Sequence, residues 1–343
     1  MLAGFPCQSF SSAGKRLGFE DNRGTLFFEI ERILSEKKPK GFILENVEGL
    51  AVHDKGRTLK IILESLETLG YKVSWKILNA KNFDVPQDRK RIYIVGSLNN
   101  FVDLDNFEVK RKILNEVLEK NLPTSESHFV KFLLKNFSAQ ELYGKSIKDK
   151  RGGKNNIHSW DIDYKGKISE KEKNLLNKIL TERRKKKWAE EFDIEWMDGM
   201  PLTLEQIKTF FEDDELESML ENLVQKGYLK KEFPKKKVDN RRIIDKHLPQ
   251  GYNIVSGKLS FEISKILDPA DISPTLVAMD MQHIFVVDGE GLRPLSMREG
   301  LRIFGYPDDY KFDISAKEGY DLLGNTVAVP VIKEISKRLL KVL

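Results

Sequence analysis

The chain has 343 residues, of which 40% are hydrophobic, so it can bury a sizeable core as one large domain or two modest ones. Its apolar runs are too short to cross a bilayer and its N-terminus has no targeting pattern, so we expect a cytoplasmic protein without a membrane partner. Its single cysteine, Cys7, excludes an internal disulfide and a multi-cysteine zinc site, and we expect no metal. The net charge of +5 does not by itself separate a nucleic-acid-binding protein from other basic enzymes.

The first hundred residues alternate short apolar runs with helical periodicity. In chain order, the pattern predicts a strand at 2–5, a loop, a helix from Leu26 to about Lys37, a strand at 42–44, a helix from Leu59 to Gly70, and strands at 73–77 and 91–96. Strands that alternate with helices favour a mostly parallel sheet with helices on both faces. The sequence therefore predicts an α/β protein, with a first domain at 1–100.

The alternation stops in the middle of the chain. Residues 101–272 are polar, irregular and rich in helical patterns, which predicts a second, mostly helical domain. Within it, 203–227 has the spacing of a helix-turn-helix, and two interpretations are open: an ordinary helical pair, or a second helix that approaches DNA.

Basic residues are concentrated in the same region. Runs of lysine and arginine occur at 183–187, 235–237 and 241–242. A single run is as often a solvated surface as a binding site, but three runs this close together favour contacts with phosphate groups. From 273 to 343 a compact segment returns, with helices predicted near Ser296 and from Asn325 to the C-terminus.

Four polar side chains are candidates for chemistry. Cys7 follows a strand, on a loop that Pro6 stiffens, where open α/β sheets place ligands. Glu45 directly follows a buried strand, and partial burial there would raise its pKa and let it donate a hydrogen bond. Arg89 and Arg91 open the last strand of the series, and period-two alternation puts both on one face, where they suit phosphate or a base carbonyl. Each residue alone has an ordinary structural explanation; together they favour a reactive cysteine.

The motifs around these residues resemble, in order and spacing, those of bacterial DNA (cytosine-5) methyltransferases. The matching segments are 4–11 (Gly-Phe-Pro-Cys-Gln-Ser-Phe-Ser), 21–27, 45–47 (Glu-Asn-Val), 87–91 (Gln-Asp-Arg-Lys-Arg), 293–299, 305–309 and 324–327 (Gly-Asn-Thr-Val). The resemblance covers 1–100 and 273–343, while the middle corresponds to the family's variable target-recognition region. It implies a Rossmann-like methyltransferase fold, S-adenosyl-L-methionine as cofactor, double-stranded DNA as partner, and a role in restriction-modification.

The resemblance also implies a role for each candidate residue. The Cys7 thiolate would add to C6 of a cytosine flipped out of the duplex. Glu45 would hold N3 and the exocyclic amine of the base and supply the N3 proton, Arg89 would contact the base carbonyl, and Arg91 would steady the loop and the cysteine.

Further positions are assigned by the same resemblance. The residues matched to the cofactor pocket are Pro6, Leu26, Asn325 and Val327. The candidate DNA contacts are Gln8, Ser9, Ser11, Lys15 and Arg23.

One departure from the family pattern concerns the N-terminus. In the family, the cysteine strand is preceded by a glycine-rich motif and by the residues that bind the ribose and adenine. Because Met1 falls within the cysteine strand, we expect a sheet lacking its first strands and a chain inactive without the missing cofactor-binding segment. Three explanations are open: a split enzyme whose second polypeptide supplies that segment, a truncated reading frame, or a remnant that only binds DNA. An RNA cytosine methyltransferase and a thiol hydrolase fit less well.

Overall fold

The computed structural model describes residues 1–5, 26–150, 153–195, 199–238, 241–256, 261–312 and 314–343. The strands are β1 (Leu2–Gly4), β2 (Gly41–Val47), β3 (Lys72–Asn79), β4 (Lys90–Ser97), β5 (Ser146–Ile147), β6 (Asn156–Ile157), β7 (Leu229–Glu232), β8 (Lys235–Val238), β9 (Arg241–Ile244), β10 (Gly251–Ile254), β11 (Lys265–Ile266), β12 (Ile284–Asp288) and β13 (Gly291–Pro294). The helices are α1 (Leu26–Lys37), α2 (Arg57–Thr68), α3 (His128–Asn136), α4 (Glu170–Glu182), α5 (Lys187–Glu190), α6 (Leu204–Lys208), α7 (Leu216–Gln225), α8 (Met297–Ile303), α9 (Ala316–Asn325) and α10 (Val329–Leu340). Among the described helices, none is long and apolar enough to span a membrane.

The chain divides into two compact units. The first unit comprises Met1–Glu119, Asp268–Met281 and Leu295–Leu343, and the second unit comprises Lys120–Leu267 and Gln282–Pro294. Compared with the predicted boundaries, residues 101–119 belong with the first unit and residues 282–294 with the second. The chain therefore enters the second unit twice.

The first unit is built on a sheet with the strand order β1-β2-β4-β3. Strands β1 and β2 are parallel, whereas β4 is antiparallel to both β2 and β3. The predicted run of strands is confirmed, but the prediction of a mostly parallel sheet was wrong for β4. The connection 80–89 joins β3 to β4 and is too short for a parallel crossover, which needs a dozen or more residues and normally a helix. Strand β4 therefore runs antiparallel to β3.

Helices cover both faces of this sheet, which confirms the α/β class. On one face, α1 and α2 bury Phe27, Leu34 and Ile62 against Phe42 and Leu44. On the other face, α10 packs Val331, Ile335 and Leu339 against alternate residues of the same strands, including Ile43, Tyr93 and Val95. Alternation along β2 and β4 divides these two cores, as expected for a sheet buried on both sides.

The second unit contains short strands as well as the predicted helices. Helices α4 to α7 form one core with β7 and β10, and α3 packs in a second core on the sheet β13-β12-β11-β5-β6. The strands of this unit were not predicted because they are only two to five residues long. Several carry charged residues without a buried face, so they lack the alternation that signals a strand.

The stretch 203–227 forms two helices, as its spacing predicts, but α6 has only five residues. Helix α7 buries Leu216, Met219, Leu220 and Leu223 in the core of the second unit. Its exposed side includes Glu217 and Glu221, and it has no lysine or arginine. Since carboxylates repel phosphate, the structure favours the ordinary helical pair over a DNA-approaching helix.

Candidate active site

Three of the predicted catalytic residues, Glu45, Arg89 and Arg91, lie at or beside one edge of the first unit's sheet. Strands β1 and β2 end there, and β4 begins there because it runs the opposite way. Gly4 pairs with Glu45 and Val47 pairs with Arg91. The Asn46 side-chain amide donates a hydrogen bond to the carbonyl oxygen of Phe5 at 3.3 Å. The backbone that leads to Cys7 therefore leaves the sheet beside Glu45 and Asn46.

Several predicted residues cannot be placed in this arrangement. Residues 6–25 lie outside the described part of the chain. They include the nucleophile Cys7, the cofactor residue Pro6, and the candidate DNA contacts Gln8, Ser9, Ser11, Lys15 and Arg23. Their assigned roles stay predictions.

Glu45 and Arg91 form an ion pair at this edge. The Nε atom of Arg91 lies 3.0 Å from Oε1 of Glu45, and the two side chains are only 14% and 16% exposed. Burial raises the pKa of Glu45, although the charges of Arg91 and Arg89 oppose the shift. Tyr93 lies directly across from Glu45, and burial raises the pKa of its hydroxyl as well. The surroundings of Glu45 are therefore poorly solvated, and this burial shifts the carboxyl towards its protonated form while Arg91 opposes the shift.

Arg89 contacts the backbone of later segments of the chain, and its role towards a base carbonyl stays a prediction. Its side chain is buried, with Arg89 only 4% exposed. The guanidinium donates to the backbone carbonyls of Leu276 at 3.2 Å, Gly324 at 3.4 Å and Thr326 at 2.8 Å. It also lies 5.3 Å from the ring centroid of Phe304. These contacts anchor two later segments of the chain to the start of β4, whereas the sequence predicted contact with a base carbonyl.

The segment 324–327 is held by close packing as well as by Arg89. A Cβ atom on Gly324 would collide with the backbone of Ala278, so only glycine fits there. The hydroxyls of Thr326 and Tyr306 are 2.7 Å apart and share a hydrogen bond. The contacts of Thr326, Tyr306 and Asn46 were not predicted, although all three residues lie within motif segments.

The predicted cofactor residues that are described flank the same edge. Leu26 begins α1, which covers one face of the sheet, and Val327 lies two residues before α10, which covers the other. Leu26 is 41% exposed, Val327 is half-buried, and Asn325 is exposed. The assignment of these three residues to the cofactor pocket stays a prediction. Within the described ranges, no group of His, Cys, Asp or Glu side chains could hold a metal ion.

Comparison with known proteins assigns this arrangement to a family. Residues 1–341 match the C-5 cytosine-specific DNA methylases. The chain is 65% identical to the Type II methyltransferase M.NlaIV of Neisseria lactamica and 63% identical to M.NgoBV of Neisseria gonorrhoeae. Each of these alignments spans 350 residues and covers 100% of this chain and 83% of the relative. The Type II methyltransferase M.BanI of Aneurinibacillus aneurinilyticus is 41% identical, over 98% of this chain and 79% of its own length. With a match over nearly its whole length, the chain belongs to the family of C-5 cytosine-specific DNA methylases, as its motifs predict.

Proposed function

We propose that this chain transfers a methyl group from S-adenosyl-L-methionine to C5 of a cytosine in a short duplex DNA site, as the modification enzyme of a restriction-modification system. Family membership supports the reaction class. The buried ion pair of Glu45 and Arg91 is the observation that supports the proposed roles of individual residues. It lies at the edge of the sheet where the strand that leads to Cys7 ends.

Cytosine C5 needs activation, and Cys7 is the group proposed to supply it. The thiolate forms a bond from Sγ to C6, and the electrons of the C5–C6 double bond make C5 nucleophilic. S-adenosyl-L-methionine supplies an electrophilic methyl group. After C5 is methylated, its proton leaves to a base and the bond from Sγ to C6 breaks, which restores the aromatic ring and the thiolate.

Glu45 is proposed to stabilise the ring while Cys7 is attached. Addition to C6 places negative charge on N3, and a protonated carboxyl beside N3 neutralises that charge by donating its proton. The raised pKa of Glu45 supports this role, because burial shifts the carboxyl towards its protonated form. Release of the cysteine returns the proton to Glu45.

The contacts of Arg89 and Arg91 support different roles for the two arginines from the ones predicted. Arg91 pairs with Glu45, so its guanidinium lies next to the position proposed for the base. Arg89 already donates to three backbone carbonyls. We therefore assign the base carbonyl to Arg91 and treat Arg89 as a positioning residue for the segment 324–327.

DNA and cofactor binding complete the proposal. The target base must be extruded from the duplex at a cost of a few kcal/mol, because C5 and C6 cannot be reached within the stack. Pro6, Leu26, Asn325 and Val327 are proposed to line one side of the cofactor pocket. The second unit is proposed to recognise the DNA site.

A labelled-methyl assay tests the function. The chain is incubated with S-adenosyl-L-methionine carrying a tritiated methyl group and with unmethylated plasmid DNA, and bisulfite sequencing maps the modified cytosines. Transfer should disappear in Cys7→Ala, and 5-fluorocytosine DNA should form a covalent adduct only with the unchanged cysteine. Transfer that persists in Cys7→Ala would refute the proposed role of Cys7.

The need for an additional N-terminal segment stays a prediction. The same assay tests it, with and without the N-terminal segment of the Neisseria lactamica relative supplied as a second polypeptide. Equal activity in both conditions would show that no second polypeptide is required.

A further inference from the structure

The two basic runs at 235–237 and 241–242 form a single hairpin in the second unit. Strands β8 and β9 pair antiparallel, with Lys235 opposite Ile244 and Lys237 opposite Arg242. All eight residues of these two strands are exposed. We call this pair of strands the basic hairpin. A two-stranded hairpin with no buried face is marginally stable alone, so its exposure on both sides favours a binding role over a core role.

The two faces of the basic hairpin can be distinguished. Residues that face each other across an antiparallel pair project on the same side of the ribbon, and sides alternate along each strand. One side carries Lys235, Lys237, Arg242 and Ile244, and we call it the cleft face. The other side, the reverse face, carries Lys236, Val238, Arg241 and Ile243.

The cleft face borders a polar cleft in the second unit. Lys235 and Arg242 line this cleft, which has a volume of about 150 Å³, together with Lys150, Lys230 and Arg183. Glu232 also lines it, but Glu232 is paired with Lys230 at 2.6 Å. The lining therefore has an excess of positive charge, which suits an anionic ligand.

Ion pairs occupy some cations of the basic hairpin but not those nearest the cleft. Lys236 on the reverse face pairs with Asp245 at 2.8 Å, and Lys237 lies 3.5 Å from Glu195. Within the described residues, the structure shows no ion pair for Lys235 or Arg242. Lys235 also interacts electrostatically with Glu232, but Glu232 pairs directly with Lys230, so these two cations can bind phosphate without first breaking an ion pair.

We propose that the cleft face of the basic hairpin binds the phosphate backbone of duplex DNA. The inference rests on the proposed function, since it names the surface through which the second unit holds the substrate of that reaction. A two-stranded ribbon fits the major groove, which is about 12 Å wide, and its flanking cations then meet the phosphates along the groove. The exposed apolar residue Ile244, which lies on the cleft face, is covered in such a complex.

The helical pair in the same unit makes a poor alternative surface. Helix α7 presents Glu217 and Glu221, and Glu221 accepts from Tyr252 and pairs with Lys231. These contacts hold the carboxylates on the surface of the unit. The basic hairpin is therefore the better candidate for a strongly salt-dependent contact.

A matched pair of double variants tests this inference in the full chain. K235Q/R242Q changes one lysine and one arginine on the cleft face, and K236Q/R241Q changes one of each on the reverse face. Binding of a labelled random-sequence duplex of about 30 base pairs is measured by fluorescence anisotropy over about 50–300 mM NaCl. Circular dichroism and thermal melting confirm that both variants remain folded.

The cleft-face variant should bind at least about tenfold more weakly at physiological salt, and the slope of log K against log salt should fall by about 2. The reverse-face variant should change the slope by less than about 1, which is half of the change expected for the cleft-face variant. Equal losses in both variants, or none in K235Q/R242Q, would overturn the inference. The inference would also be overturned if duplex RNA of the same length bound as tightly as the DNA and lost the same affinity in K235Q/R242Q.

Failure of this inference can be separated from failure of the proposed function. Methyl transfer and its dependence on Cys7 report on the reaction, whereas the comparison of hairpin variants reports on DNA binding alone. Wild-type methyl transfer combined with unchanged binding by K235Q/R242Q would reject the basic hairpin and retain the enzyme. Loss of binding in K235Q/R242Q together with transfer that persists in Cys7→Ala would support the basic hairpin and reject the proposed chemistry.

Discussion

Replacing Arg89 by glutamine tests whether this residue anchors the C-terminal segment or contacts the substrate. The guanidinium donates to the carbonyls of Leu276, Gly324 and Thr326, and Arg89 is almost completely buried. A charged donor contributes at least about 1 kcal/mol per bond, so loss of the three bonds lowers the free energy of unfolding by about 3 kcal/mol. The melting temperature of the first unit should then fall by roughly 5–10 °C.

Differential scanning calorimetry measures this change, with Arg32→Gln as the control. Arg32 is an exposed arginine on α1 that pairs with Glu29 and Glu36, so its loss should cost about 0–1 kcal/mol. An arginine that only contacts a flipped base would leave the stability of the free protein unchanged. If Arg89→Gln melts within the range of Arg32→Gln but loses methyl transfer, the anchoring argument is refuted and the original assignment to the base carbonyl is restored.

Three further predictions address the same edge of the sheet. Gly324→Ala should destabilise the first unit by about 1–3 kcal/mol in urea unfolding, because the added methyl group collides with the backbone of Ala278. The raised pKa of Glu45 means that the folded chain binds this proton more tightly than the unfolded chain, so stability falls as the pH rises from the ordinary glutamate value of 4.5 through the folded pKa. Glu45→Gln removes this pH dependence and should also abolish methyl transfer. As the pH rises through the same window, the unfolding free energy of the wild type should therefore fall relative to that of Glu45→Gln. A difference in unfolding free energy that stays constant with pH would contradict this expectation. Arg91→Lys keeps the charge but loses the Nε contact with Glu45, and we expect kcat to fall about 10- to 100-fold with little change in DNA affinity.

Much of the first unit could be predicted from periodicity. Helix α2 buries the predicted leucine and isoleucine face and is followed by Gly70 in a left-handed conformation, and α8 begins with the capping box of Ser296 and Glu299. These features depend on residues close together in the chain. Local patterns are sufficient to predict them.

Features that depend on distant residues were predicted less well. The position of Arg89 in the sequence indicates a face of β4, but its acceptors come from residues 276, 324 and 326, which no local pattern identifies. The pairing of the two basic runs into one exposed hairpin was also missed. Hydrophobic periodicity reports buried faces, and this hairpin has none.

The reversed direction of β4 has a consequence for redesign of this chain. Eight residues of strand extend about 23 Å, so a β4 parallel to β2 would carry Arg91 to the far end of the sheet from Glu45. The ten-residue connection from Ala80 to Arg89 therefore determines which edge receives the arginines. Grafting a crossover helix into this connection could preserve every strand and both hydrophobic cores, yet it would separate the charge pair that the proposed chemistry requires.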